Sequence, residues 1–227
     1  MGFVVAIDGP AGSGKGTITK LIAEKRNLVS IDTGAMYRCV ALDCLNNGID
    51  STNLEGIKKI LEKIQIELLK IDGEQKVFLN GKDVSRDIRE PKVDDVVAKY
   101  AAIKQIRDKM TPMQRKMAEK QDIIMEGRDI GTVVFPNADV KIFLDVSLEE
   151  SARRRYKQNI ENGIETTYEN ELEKLNQRNK YDSERDVVPF VKAEDAILVD
   201  STNMSIDEVV EKILKIIDEK KEKTWKL

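Results

Sequence analysis

A chain of 227 residues, 41% apolar and 35% charged, can bury one α/β core with an inserted subdomain while keeping a highly solvated surface. No apolar run reaches the ~18 residues that cross a bilayer, and the sequence enters FVVAID without a basic stretch or cleavage site, so a soluble cytoplasmic protein is expected. A net charge of −3 argues against a large nucleic-acid surface, and the absence of histidine removes Ser-His and Cys-His catalysis and the usual zinc sites.

Five apolar runs read as buried parallel strands: Phe3–Asp8, Leu28–Asp32, Ile123–Glu126, Val140–Asp145 and Ala196–Asp200. Helical stretches separate them, the alternation of an α/β protein with helices on both faces of the sheet. Each run ends on an acid, at the strand ends where ligands of open α/β sheets bind. Asp32 and Asp200, followed by TG and ST, are expected to cap helices.

After the first strand comes GPAGSGKGT, Gly9 to Thr17. Gly9, Pro10, Ala11, Gly12, Ser13 and Gly14 form a loop whose N–H groups can converge on an anion, and the following helix adds favourable partial charge. Lys15 can bridge two phosphates. Nucleotide-hydrolysing loops of this kind place Ser or Thr directly after the lysine to hold Mg²⁺. Here Gly16 fills that slot and Thr17 comes one residue late. The metal is then expected on nucleotide oxygens and water, with help from Thr17 and from the strand-end acid Glu126. This loop form resembles that of the nucleoside monophosphate kinases.

The second strand delivers SIDTGAMYRC, residues 30–39. Tyr37 offers a flat face to a base, and Arg38 a guanidinium fork to a monophosphate. Cys39 and Cys44, the only cysteines, lie five apart on different faces of one helix, so packing thiols are expected rather than a disulfide or metal site. Residues 64–85 break the α/β rhythm and read as a small antiparallel insertion with tight turns at DGEQ and NGKD. From Pro91 to Lys120 the pattern is helical, with Pro112 expected to divide it. Arg107 could complete a polar edge for a base.

The third core strand leads into EGRDIGTVVFP. Arg128 can reach a phosphate, and Asp129 can accept from an exocyclic amine such as N4 of cytosine. Residues 147–180 form charged helices interrupted at NGIETT, and Ser205–Lys223 forms a packing helix with Ile206, Val209, Val210, Ile213, Leu214 and Ile217 on one stripe. Neither the insertion nor this helix presents an exposed apolar stripe, so a monomer is expected.

Together GPAGSGKGT, DTGAMYR, VFLNGKDVSRDIR, the IR at 106–107, EGRDIGTVVFP, KIFLD and the R-x₃-D-x₂-R of 178–185 resemble the cytidylate kinase family of bacteria, from Phe3 to about Ile217. The resemblance implies one P-loop kinase domain of about five parallel strands. Its core would be 1–35, 121–150 and 190–227, with an acceptor-binding region at about 36–120 and a helical lid at about 151–189. It implies phosphoryl transfer from ATP, with Mg²⁺, to CMP or dCMP, and no nucleic acid or membrane partner. It implies that Thr33 positions the acceptor, that Arg38 and Arg128 hold its phosphate, and that Arg107 and Asp129 read cytosine. Arg178, Asp182 and Arg185 would share a helical face, Asp182 on ribose hydroxyls and the arginines on sugar or phosphate, while Arg154 would clamp ATP. The sequence departs from the family at Asp94 and Ala98, where serines are frequent and one commonly touches the nucleotide. Asn179 also replaces a frequent aspartate and is expected to face outward.

Two other readings compete. Asn179-Lys180-Tyr181-Asp182 matches the guanine-reading N-K-x-D of GTP switches, yet it follows a charged helix rather than a strand, and no D-x-x-G occurs in the chain. Alternatively the chemistry is the same and the acceptor is UMP, AMP or another small phosphate.

Overall fold

The structure, a computed structural model, describes residues 2–119 and 121–224. In chain order, β1 is Val4–Asp8, α1 Lys15–Arg26, β2 Val29–Asp32, α2 Thr33–Asn46 and α3 Leu54–Lys63. Strands β3 Ile66–Ile71, β4 Glu74–Leu79 and β5 Lys82–Asp83 follow, then α4 Pro91–Asp94, α5 Val97–Ala101 and α6 Lys104–Met117. The chain continues with β6 Ile123–Gly127, β7 Val140–Asp145, α7 Leu148–Glu161, α8 Tyr168–Glu184, β8 Ile197–Asp200 and α9 Ile206–Thr224.

All five predicted core strands form, in one parallel sheet of order β2-β6-β1-β7-β8. The central strand β1 is buried on both faces, which is why VVAID runs apolar without alternation. Val5 and Ile7 pack with Ile18 and Ile22 of α1 and with Val209, Val210, Ile213 and Ile217 of α9. Each such side chain contributes about 1.5–3 kcal/mol by leaving water. The α9 stripe is seated as its spacing predicts, except at Ile206, which is 53% exposed. Ile206 is the helix's first residue, directly behind a capping box: Ser205 Oγ accepts from the Glu208 N–H at 3.3 Å, and Glu208 Oε2 accepts from the Ser205 N–H at 2.8 Å. Asp32 caps α2, accepting from the Ala35 N–H at 3.0 Å. Asp200 instead closes a turn onto the Thr202 N–H at 2.9 Å, since the next helix, α9, starts only at Ile206, beyond the reach of its side chain as a cap.

The chain divides into two compact units, one formed by residues up to 30 and from 117 on, the other by Ile31–Lys116. In the second unit α2 is the centre. Ala35, Met36, Cys39, Val40, Ala41 and Cys44 are fully buried there, and α2 packs against α3, α4 and α5. Burial pushes the thiol of Cys39 up to about 12 and that of Cys44 up to about 11, so both are inert packing groups.

The insertion is a three-stranded antiparallel sheet, β3-β4-β5. Its turns are Asp72-Gly73 and Asn80-Gly81, with both residues of each pair at positive φ, as tight hairpins require. The helical stretch after Pro91 does not divide at Pro112, which lies inside α6. Its interruptions fall at Asp95–Val96 and Ala102–Ile103. A proline removes one helical bond, and the buried side of α6, with Ile106, Arg107, Met110 and Gln114, keeps the helix seated despite that loss. Lys120, where this stretch was expected to end, lies outside the described residues.

Candidate active site

In the first unit the loop Gly9–Gly14 joins the end of β1 to α1. Lys15 turns back over it, its Nζ donating to Gly9 O at 2.8 Å, Pro10 O at 2.7 Å and Ser13 Oγ at 3.2 Å. The ammonium is buried, and its pKa lies well below the usual lysine range, first because burial strips its water and then because Arg128 is close. A cation held this way gains most from an anion that replaces the loop carbonyls. Gly12, at φ 77°, has no room for a β-carbon, which would stand 2.8 Å from Ser151 Cβ of α7. Ala11 packs with Ala152 of α7 and Leu175 of α8. The phosphate loop is thus braced by the two charged helices.

The glycine in the hydroxyl slot lies against the strand-end acid. A β-carbon on Gly16 would stand 3.2 Å from Glu126 Oε1 and 3.8 Å from Oε2. The carboxylate at the end of β6 would have to give by a few tenths of an ångström to admit a side chain there. Hard oxygen donors therefore remain at this corner, supplied by a strand-end acid and by Thr17, which is exposed one residue on. Among the described residues no cluster of three acids or thiols could cage a metal without a nucleotide's oxygens. Asp8, the nearest alternative acid, is already committed. It accepts from the N–H groups of Ile130 and Gly131 at 2.8 and 2.7 Å, and burial pushes its pKa up to about 6 against those two bonds.

Beside the loop sits a buried guanidinium and carboxylate group. Arg128 donates from Nε to Asp182 Oδ2 at 3.0 Å and from Nη1 to Gly9 O at 3.0 Å. Its guanidinium carbon lies 5.8 Å from the Phe190 ring centroid. Arg185 Nη1 stands 3.7 Å from Asp182 Oδ1, and its Nε donates to Val188 O at 2.5 Å. Arg178 is close enough to depress the Lys15 pKa further. The expected shared helical face holds for Arg178 and Asp182 on α8, but Arg185 lies just past the helix end, in extended backbone. It still meets Asp182, three residues back, and the chain beyond it, with Val188 at φ 53°, presents the Val188 carbonyl to its Nε. Asp129 is buried in the same unit, where its carbonyl accepts from the N–H groups of Val133 and Val134.

Two residues in this unit make contacts that the sequence did not foresee. Asn179 does not face outward: its Oδ1 accepts from the Ala11 N–H at 3.1 Å, so α8 reaches into the phosphate loop. Arg154, expected on ATP, has its guanidinium held by Glu150 Oε1 at 3.0 Å, Ser201 O at 2.7 Å and Ser201 Oγ at 3.3 Å. The N-K-x-D match lies within α8 and not after a strand, which removes the geometry of a guanine-reading loop.

The second unit carries the other predicted residues. Thr33, Tyr37 and Arg38 are buried along the first turns of α2. The Arg107 guanidinium covers the Tyr37 ring at 5.5 Å from its centroid and donates to Ala101 O at 2.9 Å. Arg38 donates to Asp94 Oδ1 at 2.5 Å and to Ile88 O at 3.4 Å. Arg89 pairs with Asp32 at 2.5 Å. Sequence reasoning missed Arg89 and the partnership of Asp94 with Arg38. No spacing rule links residues 56 or 57 positions apart; only the packing of α2 against α4 and the preceding turn does.

A glycine-lined anion cradle after the central strand of a parallel sheet, with a buried lysine at the head of the next helix, defines the P-loop kinase class. A gluconokinase from Sinorhizobium meliloti 1021 superposes with a TM-score of 0.52 at 14% identity, covering 99% of this chain and 95% of that one. That likeness concerns the fold. The family model described as cytidylate kinase matches residues 5–219, and the chain belongs to the cytidylate kinase family. It is similar to a cytidylate kinase of Limosilactobacillus reuteri (strain DSM 20016), 52% identical over 217 residues, with 95% of each chain covered. One from Bacillus subtilis (strain 168) is 45% identical over 216 residues, covering 95% of this chain and 96% of that protein. One from Fusobacterium nucleatum is 48% identical over 219 residues, covering 96% and 99%.

Proposed function

We propose that this protein transfers the γ-phosphoryl group of ATP to CMP and dCMP, giving ADP with CDP or dCDP. The observation that carries the reading is the Lys15–Arg128–Asp182 group on the phosphate loop of a chain that belongs to the cytidylate kinase family. Phosphoryl transfer needs positioning and charge neutralisation more than a strong base, which suits a chain with no histidine. The acceptor is itself an anionic oxygen nucleophile.

Each residue then has a role its surroundings support. Loop N–H groups and the start of α1 receive the β-phosphate, while Lys15 exchanges its carbonyl partners for β- and γ-oxygens. Mg²⁺, when bound, would add neutralisation at those oxygens, and Glu126 and Thr17 are the residues that would hold it, in part through water. Arg128 is aimed by Asp182 and Gly9 O, so its remaining N–H groups meet phosphoryl oxygens in a fixed orientation. Arg178 and Arg185 contribute charge around Asp182, which is the group for ribose hydroxyls. In the second unit Arg38 takes the acceptor phosphate, Thr33 and Tyr37 position the nucleotide, and Arg107 reads the base edge; in the first unit Asp129 has the base-reading role. Arg154 would contribute to ATP binding from α7 by exchanging its Ser201 contacts.

The domain reading follows the same lines: a core with the phosphate loop, an acceptor-binding region at about 36–120 that includes the insertion, and a lid at about 151–189, in a cytoplasmic monomer. An acceptor panel followed by ADP release tests the function. CMP and dCMP should be phosphorylated well ahead of UMP and AMP. Equal rates on UMP and CMP would remove the base-reading role from Asp129.

A further inference from the structure

Arg38 stands at 9% side-chain exposure against a carboxylate of its own chain, Asp94, at 2.5 Å. The contact uses one nitrogen, Nη2, while Nη1 makes only a long 3.4 Å bond to the Ile88 carbonyl. Asp94 is 35% exposed and is the last residue of the single-turn helix α4, immediately before the interruption at Asp95–Val96. A half-exposed carboxylate on a short element is thus placed against a firmly buried guanidinium.

We propose that Asp94 is an internal competitor for the acceptor's phosphate on Arg38, and that it sets the affinity and charge selectivity of the acceptor site. The inference rests on the reading of Arg38 as the acceptor-phosphate residue. A guanidinium fork binds a phosphate through two parallel bonds, whereas Asp94 uses one of its arms. A phosphate dianion brings a second charge and the bidentate geometry, so it displaces the carboxylate. A carboxylate or singly charged ligand only equals what Asp94 already supplies. The apparent affinity for the acceptor is reduced by the fraction of Arg38 that Asp94 occupies, as for any site whose competent form is partly populated. After displacement Asp94 remains nearby as a negative charge, which weakens the bound phosphate further and favours release of the product.

Calorimetric titration of the full chain with CMP alone, and with cytidine alone, reads this directly. Asp94→Asn should tighten CMP binding about two- to fivefold, the range of a partly exposed ion pair, and lower the KM for CMP in parallel. Cytidine, which lacks the phosphate, should bind both proteins alike, and the KM for ATP should not move. Asp94→Glu, which keeps the charge, should stay near wild type. Asp94→Ser provides the same reading if the asparagine variant does not fold. Unchanged or weaker CMP binding in a folded Asp94→Asn or Asp94→Ser protein would overturn the proposal, as would equal tightening for cytidine. A wild-type protein that neither binds nor phosphorylates CMP would instead overturn the proposed function, and the two failures are distinguishable.

Discussion

At the scale of single residues, the site is held together by one buried and one partly buried cation. Lys15 and Arg128 are each fixed by carbonyls or a carboxylate of the first unit. We expect Lys15→Ala and Arg128→Ala each to lower turnover by about 10²–10³-fold, the scale of losing one preorganised donor to a transition-state oxygen. Thermal melts should show both variants folded, and near-normal turnover in either would contradict its role. Asp8 gives a pH signature. Its folded pKa of about 6 lies above the ordinary aspartate value of 3.8, so between those values the native state holds a proton that the unfolded chain has released. Stability from this group is therefore full below about pH 4 and is lost as pH rises toward 6. The stability of wild type relative to Asp8→Asn should fall by about 2–3 kcal/mol between pH 4 and pH 7, read by urea unfolding at each pH. A difference that does not change with pH would contradict the burial-driven shift.

At the scale of elements, the sequence was readable wherever local pattern and burial agree. The five core strands, the primed turns of the insertion and the stripe of α9 all follow from apolar periodicity and turn chemistry. Pro112 was misleading because tertiary packing along one face of α6 outweighs one lost backbone bond. Ile206 was misleading because periodicity does not say where a helix begins to touch its sheet. Neither Asn179 on Ala11 nor Arg154 on Ser201 was legible, since the first depends on how α8 lies against the phosphate loop and the second on how α7 lies against the end of β8. On α6, Gln114 is fully buried, and neither atom of its amide has a hydrogen-bond partner among the described residues. Removing an unsatisfied buried amide at constant volume should help the fold. Gln114→Met should raise stability by about 1 kcal/mol in denaturant unfolding, and a loss of similar size would show that the amide is satisfied in solution.

At the scale of the whole molecule, each compact unit carries part of the chemistry inferred from the sequence. The phosphate loop, Glu126, Arg128, Arg178, Asp182 and Arg185 belong to one, and Thr33, Tyr37, Arg38 and Arg107 to the other. Motif spacing made the residue types legible in both. It could not reveal that Asp94 engages Arg38, because that contact joins residues far apart in sequence through packing inside the second unit. The central claim is transfer between two nucleotides rather than hydrolysis of one. The most direct measurement is product analysis after incubating the protein with ATP, Mg²⁺ and CMP. Our account predicts ADP and CDP in equal amounts with no inorganic phosphate. Inorganic phosphate and ADP accumulating while CMP stays intact would contradict it.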